Sequence, residues 1–379
     1  MPTTRPSESR PAAPSEAEPT LPSGSEDAPR PSSKRAGPSR GLLFAAVCVG
    51  CLALAGGYAA IAAQRAASAR TGAPTSAADA ASLSAIASQP HLVFLSTAVG
   101  DTYGKVSLAS LGADDSPRAG TTLECERVYF AAGRGLCLGN NTIGGFLSSY
   151  SAYSFDESFT PKATFRQPGS PSRVRISPDG RYGAMTVFIT GHSYADTGFS
   201  TATTLVDLES GELIGNLEEF GVTRDGARFE SPDFNFWGVT FARDSNRFYA
   251  TLRSGGHYYL VEGDVARRAM RVVGENVECP SLSPDNTRIA YKRQVGGSGN
   301  PAWQLYLRDL ASGAERPLAA ETRSVDDQVE WLDDGHILYA LAEQGPPRTA
   351  ATSIWVLPVD GSGPPQVFRS QGYSPAVVR

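Results

Sequence analysis

A chain of 379 residues with 34 basic and 39 acidic side chains carries a formal net charge of −5. Eight of those basic and six of those acidic residues precede Pro90, which leaves 26 and 33 in the remainder, a net charge of −7. Nucleic acid and anionic lipid both call for a basic footprint, so neither is expected as the partner of that larger part.

Residues 1–40 are rich in Pro, Ser, Glu and Arg and nearly free of large apolar side chains. Such a segment cannot bury enough surface to offset its conformational entropy, and it reads as a disordered tail. Gly41 to Ala63 then runs for 23 residues without a charge. About 20 apolar residues suffice for a helix to cross the hydrocarbon core. A cleaved signal peptide has a shorter apolar stretch, about 7–15 residues, close to the N-terminus. Lying behind 40 residues, this one reads as a retained transmembrane signal-anchor. Arg30, Lys34, Arg35 and Arg40 precede it, and Arg65 and Arg70 follow. Cytoplasmic flanks carry the excess of Lys and Arg, which predicts a single-pass protein of the cell membrane with its N-terminus cytoplasmic and its C-terminal domain outside. Residues 64–89, dominated by Ala, Ser, Thr and Gly, read as a flexible linker. Residues 90–379 form the folded domain.

Within that domain a strand-turn-strand signature recurs. It is clearest at ISPDGRYGAMTVF (Ile176 to Phe188) and LSPDNTRIAYKR (Leu282 to Arg293). Weaker copies are YFAAGRGLCL from Tyr129, FARDSNRFYATL from Phe241 and WLDDGHILYAL from Trp331. Pro presets one backbone dihedral, Asp bonds its own backbone, and Gly or Asn accepts a positive φ, so each copy is a hairpin turn. The turn residues Gly133, Gly180, Ser245, Asn286 and Gly335 stand 47, 65, 41 and 49 apart. Downstream of each lies an alternating strand such as TTLVDLESG from Thr203 or QLYLRDLASG from Gln304, then a short last strand. Four strands per unit at this period specify a propeller blade.

That count gives five complete blades and one split blade. HLVFLS (His91 to Ser96) and GKVSLASL (Gly104 to Leu111) read as the second and third strands of a blade lacking its first. YSPAVV (Tyr373 to Val378) reads as a lead-in strand without its turn. Pairing the two closes the ring and removes its open edges. The fold class expected is therefore all-β, a six-bladed β-propeller closed by its C-terminal strand. The hairpins at Ser177-Pro178-Asp179-Gly180 and Ser283-Pro284-Asp285-Asn286 resemble the WD40-like repeat of the TolB family of six-bladed propellers. The resemblance covers about 290 residues of the sequence. It implies a secreted interaction module with envelope partners, and the partner expected for this chain is an envelope protein, peptide or glycan. The membrane anchor, and the lack of room for the extra α/β domain of the Tol protein, depart from that family.

The three cysteines of the domain are Cys125, Cys137 and Cys279. An extracytoplasmic setting permits disulfides, and Cys125 and Cys137 lie on two arms of one predicted hairpin, which makes them the candidate pair. No cysteine or histidine spacing suits zinc, and nothing calls for a cofactor. The turn aspartates Asp179, Asp244, Asp285 and Asp334 read as turn chemistry, since equivalent positions on different blades are expected to lie far apart. Gly191 to Ala195 lacks the last Gly of a nucleophile elbow and the strand-to-helix turn that chemistry needs. No catalytic residue is identified.

The 65-residue interval holds two segments beyond what a blade requires, Ile189 to Thr204 and Glu218 to Trp237. Long loops without regular structure are often functional. The candidate binding residues are His192 and Tyr194 in the first, and Phe229, Asp233 and Asn235 in the second. Phe236 and Trp237 are expected to start the next inner strand. The function expected is a membrane-anchored binding module that meets the membrane through its single helix only. The alternative is a propeller enzyme, hydrolase- or lyase-like, with its site in the central channel, and Glu124, Glu278 and Asp326 are the nearest carboxylates for one.

Overall fold

The structure, a computed structural model, describes residues 40–70, 77–112, 114–143, 147–196, 198–296, 301–342 and 351–379. The tail expected over residues 1–40 lies outside them but for Arg40. Helix α1 spans Arg40–Arg70, and its window Phe44–Ile61 is apolar enough to cross a membrane, as both anchors and signal sequences are. Phe44, Val47, Leu52, Leu54 and Tyr58 on it are exposed.

Of residues 64–89, expected as a flexible linker, the described ones are largely helical. Helix α1 runs on to Arg70, and a second helix, α2, covers Ala77–Ala87. Six of the eleven α2 residues are Ala, the residue that favours helix most. Leu83 and Ile86, three apart and so on one face, are buried among Val106, Leu108, Leu123 and Phe130 of the domain.

From His91 on, six blades, each with four antiparallel strands and one of them extended by two more, follow one another around a ring, as the sequence pattern predicts. Blade 1 is split. Its inner strand is Gly372–Val378, and His91–Ser96, Lys105–Ser110 and Arg118–Glu124 follow outward. The C-terminal strand closes the ring antiparallel to the N-terminal one, with Leu92 opposite Val377 and Leu95 opposite Tyr373. The inner strands of blades 2 to 6 are Arg127–Ala131, Ser170–Ile176, Asn235–Phe241, Glu278–Leu282 and Glu330–Asp333. Apolar residues from neighbouring blades fill the wedges between sheets. Leu136 and Leu138 of blade 2, for example, meet Val174, Ile176 and Met185 of blade 3.

The hairpin turns obey the chemistry read from their sequence. In blade 3 the Gly180 N–H donates to the Ser177 carbonyl, and Ser177 Oγ and the Arg181 N–H both donate to Asp179 Oδ1. Gly180 has φ +76°, where a β-carbon would be strained. Asn286 and Ser245 take the same left-handed conformation in blades 5 and 4. One expectation about these turns fails. They are near neighbours, because they crowd around one mouth of the ring. The Asp179 N–H donates to Ser245 Oγ at 3.2 Å, the Arg243 N–H to Asn286 Oδ1 at 3.0 Å, and the Asp285 N–H to Asp334 Oδ1 at 2.9 Å. Turn chemistry thus also links blades 3, 4, 5 and 6.

The segment Glu218 to Trp237 is more regular than a loop. Gly221–Arg224 pairs parallel to the last strand of blade 4, Ala269–Glu275, and Ala227–Arg228 folds back on it, giving that blade six strands. Asp225 and Gly226, both at positive φ, make the turn that an Asp-Gly pair favours in a two-residue hairpin.

Cys125 and Cys137 form a disulfide with Cα atoms 5.6 Å apart. Cys137 sits on the second strand of blade 2, whereas Cys125 directly follows the last strand of blade 1. The bond therefore ties the exit of blade 1 to blade 2.

Candidate functional site in the central channel

Inner strands show alternate residues to the channel, and in blade 3 these are Arg173 and Arg175, set between Ser172, Val174 and Ile176. Blades 3 and 6 face each other across a six-membered ring. Arg175 spans that gap, with Nη2 donating to the Val329 carbonyl at 2.9 Å and lying 3.5 Å from the Glu330 carboxylate. Arg173 does the same one step along, donating to the Asp326 carbonyl at 3.1 Å and lying 3.6 Å from Asp327. Gln328 fills the space between, donating to the carbonyls of Val239 in blade 4 and Pro280 in blade 5. Segment 326–330 therefore lies against arginines on one side and against two further blades on the other. The channel is crossed by side chains and is not an open pore.

Charges this deep need partners, because taking an ion out of water costs several kcal/mol. Glu330 is well served. Besides Arg175 it accepts from the Tyr129 hydroxyl and from the Val377 N–H. Burial still pushes its carboxyl above the ordinary range, against the opposing charges of Arg175 and Arg379. The Arg175 guanidinium also lies 4.7 Å from the centre of the Tyr129 ring, within cation–π range.

On the hairpin-turn side of this barrier the channel widens into a cavity of about 380 Å³. Tyr129, Phe241 and Trp331 give it an aromatic lining, and Arg175, Arg243, Arg379 and Glu330 supply its charge. A concave site with apolar walls and a few convergent polar groups is the usual form of a ligand site. Sequence reasoning did not single out these residues. The signal was present in RVRIS from Arg173, where charged residues alternate with apolar ones on a strand that a propeller must place innermost.

The candidate binding residues from the sequence do not converge on this cavity. His192 is exposed on the loop between the second and third strands of blade 3, and its backbone N–H donates to Asp196 at 2.7 Å. Tyr194 is buried instead. Its hydroxyl is 2.6 Å from Ser172 Oγ, and its ring sits among Phe188, Phe199 and Trp237. Asn235 is likewise buried, accepting from the Thr201 N–H and hydroxyl to join blades 3 and 4. Phe229 packs at the edge of the blade 4 core beside Phe234 and Tyr259. Asp233 is exposed but occupied. Bonds from Ser231, Ser254 and the Gly255 N–H hold its carboxyl down to about 2. Aromatic density in these segments therefore marks packing between and beside blades. Phe236 and Trp237 do begin the inner strand of blade 4.

Of the three candidate carboxylates for catalysis, Glu124 stands apart from the other two. Glu124 ends the outermost strand of blade 1 and is exposed. Glu278 and Asp326 flank the buried ammonium of Lys292, which pairs directly with Asp326. Glu278 accepts from the Trp303 indole N–H at 3.2 Å, and burial raises its carboxyl above the usual range despite the Lys292 charge. Among the described residues no group of three or more His, Cys, Asp or Glu side chains is arranged to hold a metal.

No protein-family model and no curated protein matches this sequence. Solved structures resemble it in fold. TolB from Acinetobacter baumannii is 15% identical over 76% of this chain and 66% of its own, with a TM-score of 0.49. A chain of a nidogen–laminin complex is 13% identical over 76% of this chain and 98% of its own, also with a TM-score of 0.49. Likeness at this level is one of architecture, and neither protein lends this chain a ligand or a partner.

Proposed function

We propose that this protein is a membrane-anchored, extracytoplasmic binding module of the cell envelope, and that its recognition site is the cavity at the hairpin-turn mouth of the propeller. The observation that carries this reading is the closure of the channel. Arg173, Arg175 and Gln328 bar it from within, which leaves a walled cavity of about 380 Å³ with aromatic sides at one end. A cavity of this size admits a few side chains of a protein or peptide partner. The separation of Glu124 from Glu278 and Asp326 favours binding over chemistry in the channel.

The anchor reading rests on α1, whose apolar window Phe44–Ile61 is exposed along its length, and on the basic residues concentrated before it. In that orientation the propeller lies outside the cytoplasm, where the Cys125–Cys137 disulfide is stable.

Photo-crosslinking in intact cells tests the site. A probe in place of Asn286, on the rim of the mouth, is expected to capture a defined partner that a probe in place of Ala227, on the outer edge of blade 4, does not. Equal capture from both positions, or from Ala227 alone, removes the mouth as the recognition site.

A further inference from the structure

The mouth cavity carries an uneven set of charges, and that imbalance indicates what it takes. The acids around it are already engaged. Glu330 accepts from Tyr129 and Val377 and faces Arg175. Asp179 accepts from Ser177 and Arg181, Asp244 from Asn246 and Arg247, and Asp285 from Ser283 and Thr287, each within its own turn. Asp334 accepts from the Asp285 N–H.

The arginines are not matched in the same way. Arg243 lies exposed on the rim, with one Nη2 bond, to the Pro284 carbonyl at 2.6 Å. Arg379 donates from Nη2 to the carbonyls of Trp331 and Leu332 at 2.7 and 3.1 Å. Backbone carbonyls place a guanidinium without neutralising it; Arg379 shares the charge of Glu330, which already faces Arg175, and Arg243 forms no ion pair within 4.0 Å with a side-chain carboxylate among the described residues. Both cations line the same cavity as Phe241 and Trp331. Guanidinium binds carboxylate through paired, charge-assisted hydrogen bonds, and it does so more strongly where apolar walls lower the local dielectric.

Resting on the binding role proposed above, we propose that the mouth selects a carboxylate-bearing ligand, with Arg243 and Arg379 receiving the anion and Phe241 and Trp331 receiving an adjoining apolar group. The carboxylate could be supplied by an acidic peptide side chain or by a free dicarboxylic acid, and the chemistry at the cavity is the same.

The test uses the full chain in nanodiscs of neutral lipid. Its probes are the fluorescent peptide acetyl-Ala-Phe-Asp-amide, the isosteric acetyl-Ala-Phe-Asn-amide, and succinate as competitor. The Asp peptide is expected to bind about tenfold or more tightly than the Asn peptide. Arg243→Gln should abolish most of that preference, and Arg243→Lys should keep part of it. Arg243 is exposed, and unchanged melting would show that the variants fold. Displacement by succinate at similar concentration assigns the site to free acids, and displacement only by peptide assigns it to a peptide source; either supports a carboxylate site. Equal binding of the two peptides, a preference untouched by Arg243→Gln, or no binding of any acidic probe overturns the inference. A mouth that still cross-links a partner in cells while ignoring the Asp–Asn difference would leave the binding role standing and remove only the carboxylate.

Discussion

Arg175 of the third blade and Glu330 of the sixth meet across the ring at 3.5 Å, both nearly inaccessible to water. Their contact, with that of Arg173 and Asp327 beside it, joins opposite sides of the ring. It also forms part of the floor of the mouth cavity.

Breaking this pair by removing one member strands a buried charge, which typically costs about 3–5 kcal/mol. Arg175→Met is expected to destabilise the domain by that order in chemical denaturation. Adding Glu330→Gln to the same chain keeps acceptors for Tyr129 and Val377 while removing the orphaned charge. The double variant is expected to recover more than half of the loss, a coupling read from the full mutant cycle. Purely additive losses would mean that the two side chains do not depend on each other.

Ring closure rests on one strand. Without Gly372–Val378, the edge of His91–Ser96 that now faces it loses its partner. Deleting residues 372–379 is expected to replace a single cooperative melt with a broad one and to produce aggregates in size-exclusion chromatography. A truncated chain that melts and elutes unchanged would refute the closure.

Acid should act on the turns. Burial pushes the Asp285 carboxyl up, but bonds from Ser283 and Thr287 and the charge of Arg288 outweigh it and hold the group down to about 2. A carboxyl whose folded pKa lies below its unfolded value contributes stability that is present above the unfolded pKa and fades as pH falls through the folded one. Glu330, shifted upward, works in the opposite sense and favours the folded state as it protonates. Stability is therefore expected to drop between about pH 4 and pH 2. Asp285→Asn should flatten that drop while lowering stability at neutral pH. An unchanged acid profile in the variant would show that this turn carries no such linkage.

The disulfide closes a short loop, for which a native bond typically contributes about 2–4 kcal/mol. Cys125→Ser/Cys137→Ser is expected to melt at lower temperature than the wild type, and reductant should lower the wild type toward it. Alkylation of the unreduced, denatured chain should label Cys48, Cys51 and Cys279 but not Cys125 or Cys137.

Blade number, strand order and the closing strand were legible in the sequence because turn chemistry is local. Ser-Pro-Asp-Gly specifies its hairpin wherever it stands, and a fixed period then counts the blades. The functional site was less legible for the complementary reason. Arg175 and Glu330 are 155 positions apart, and nothing near either one reveals the other. Tyr194 and Asn235, candidates because they lie in a long interval, are both buried. That interval is filled by a hairpin on blade 4 and by packing between blades. The Asp225-Gly226 pair announced that hairpin. Likewise, the Ala-rich stretch before Pro90 was as compatible with helix as with flexibility, and Leu83 and Ile86 decided the matter by supplying one apolar face.

Recognition at the hairpin-turn mouth should leave a footprint in backbone exchange. Hydrogen–deuterium exchange on the full chain, with and without the partner captured by crosslinking, reads that footprint. Slower exchange is expected at the rim, in residues 178–181, 241–246 and 282–287, with the outer strands unchanged. Protection confined to the opposite face, around residues 191–196 and 255–257, with the rim unaffected, would contradict it.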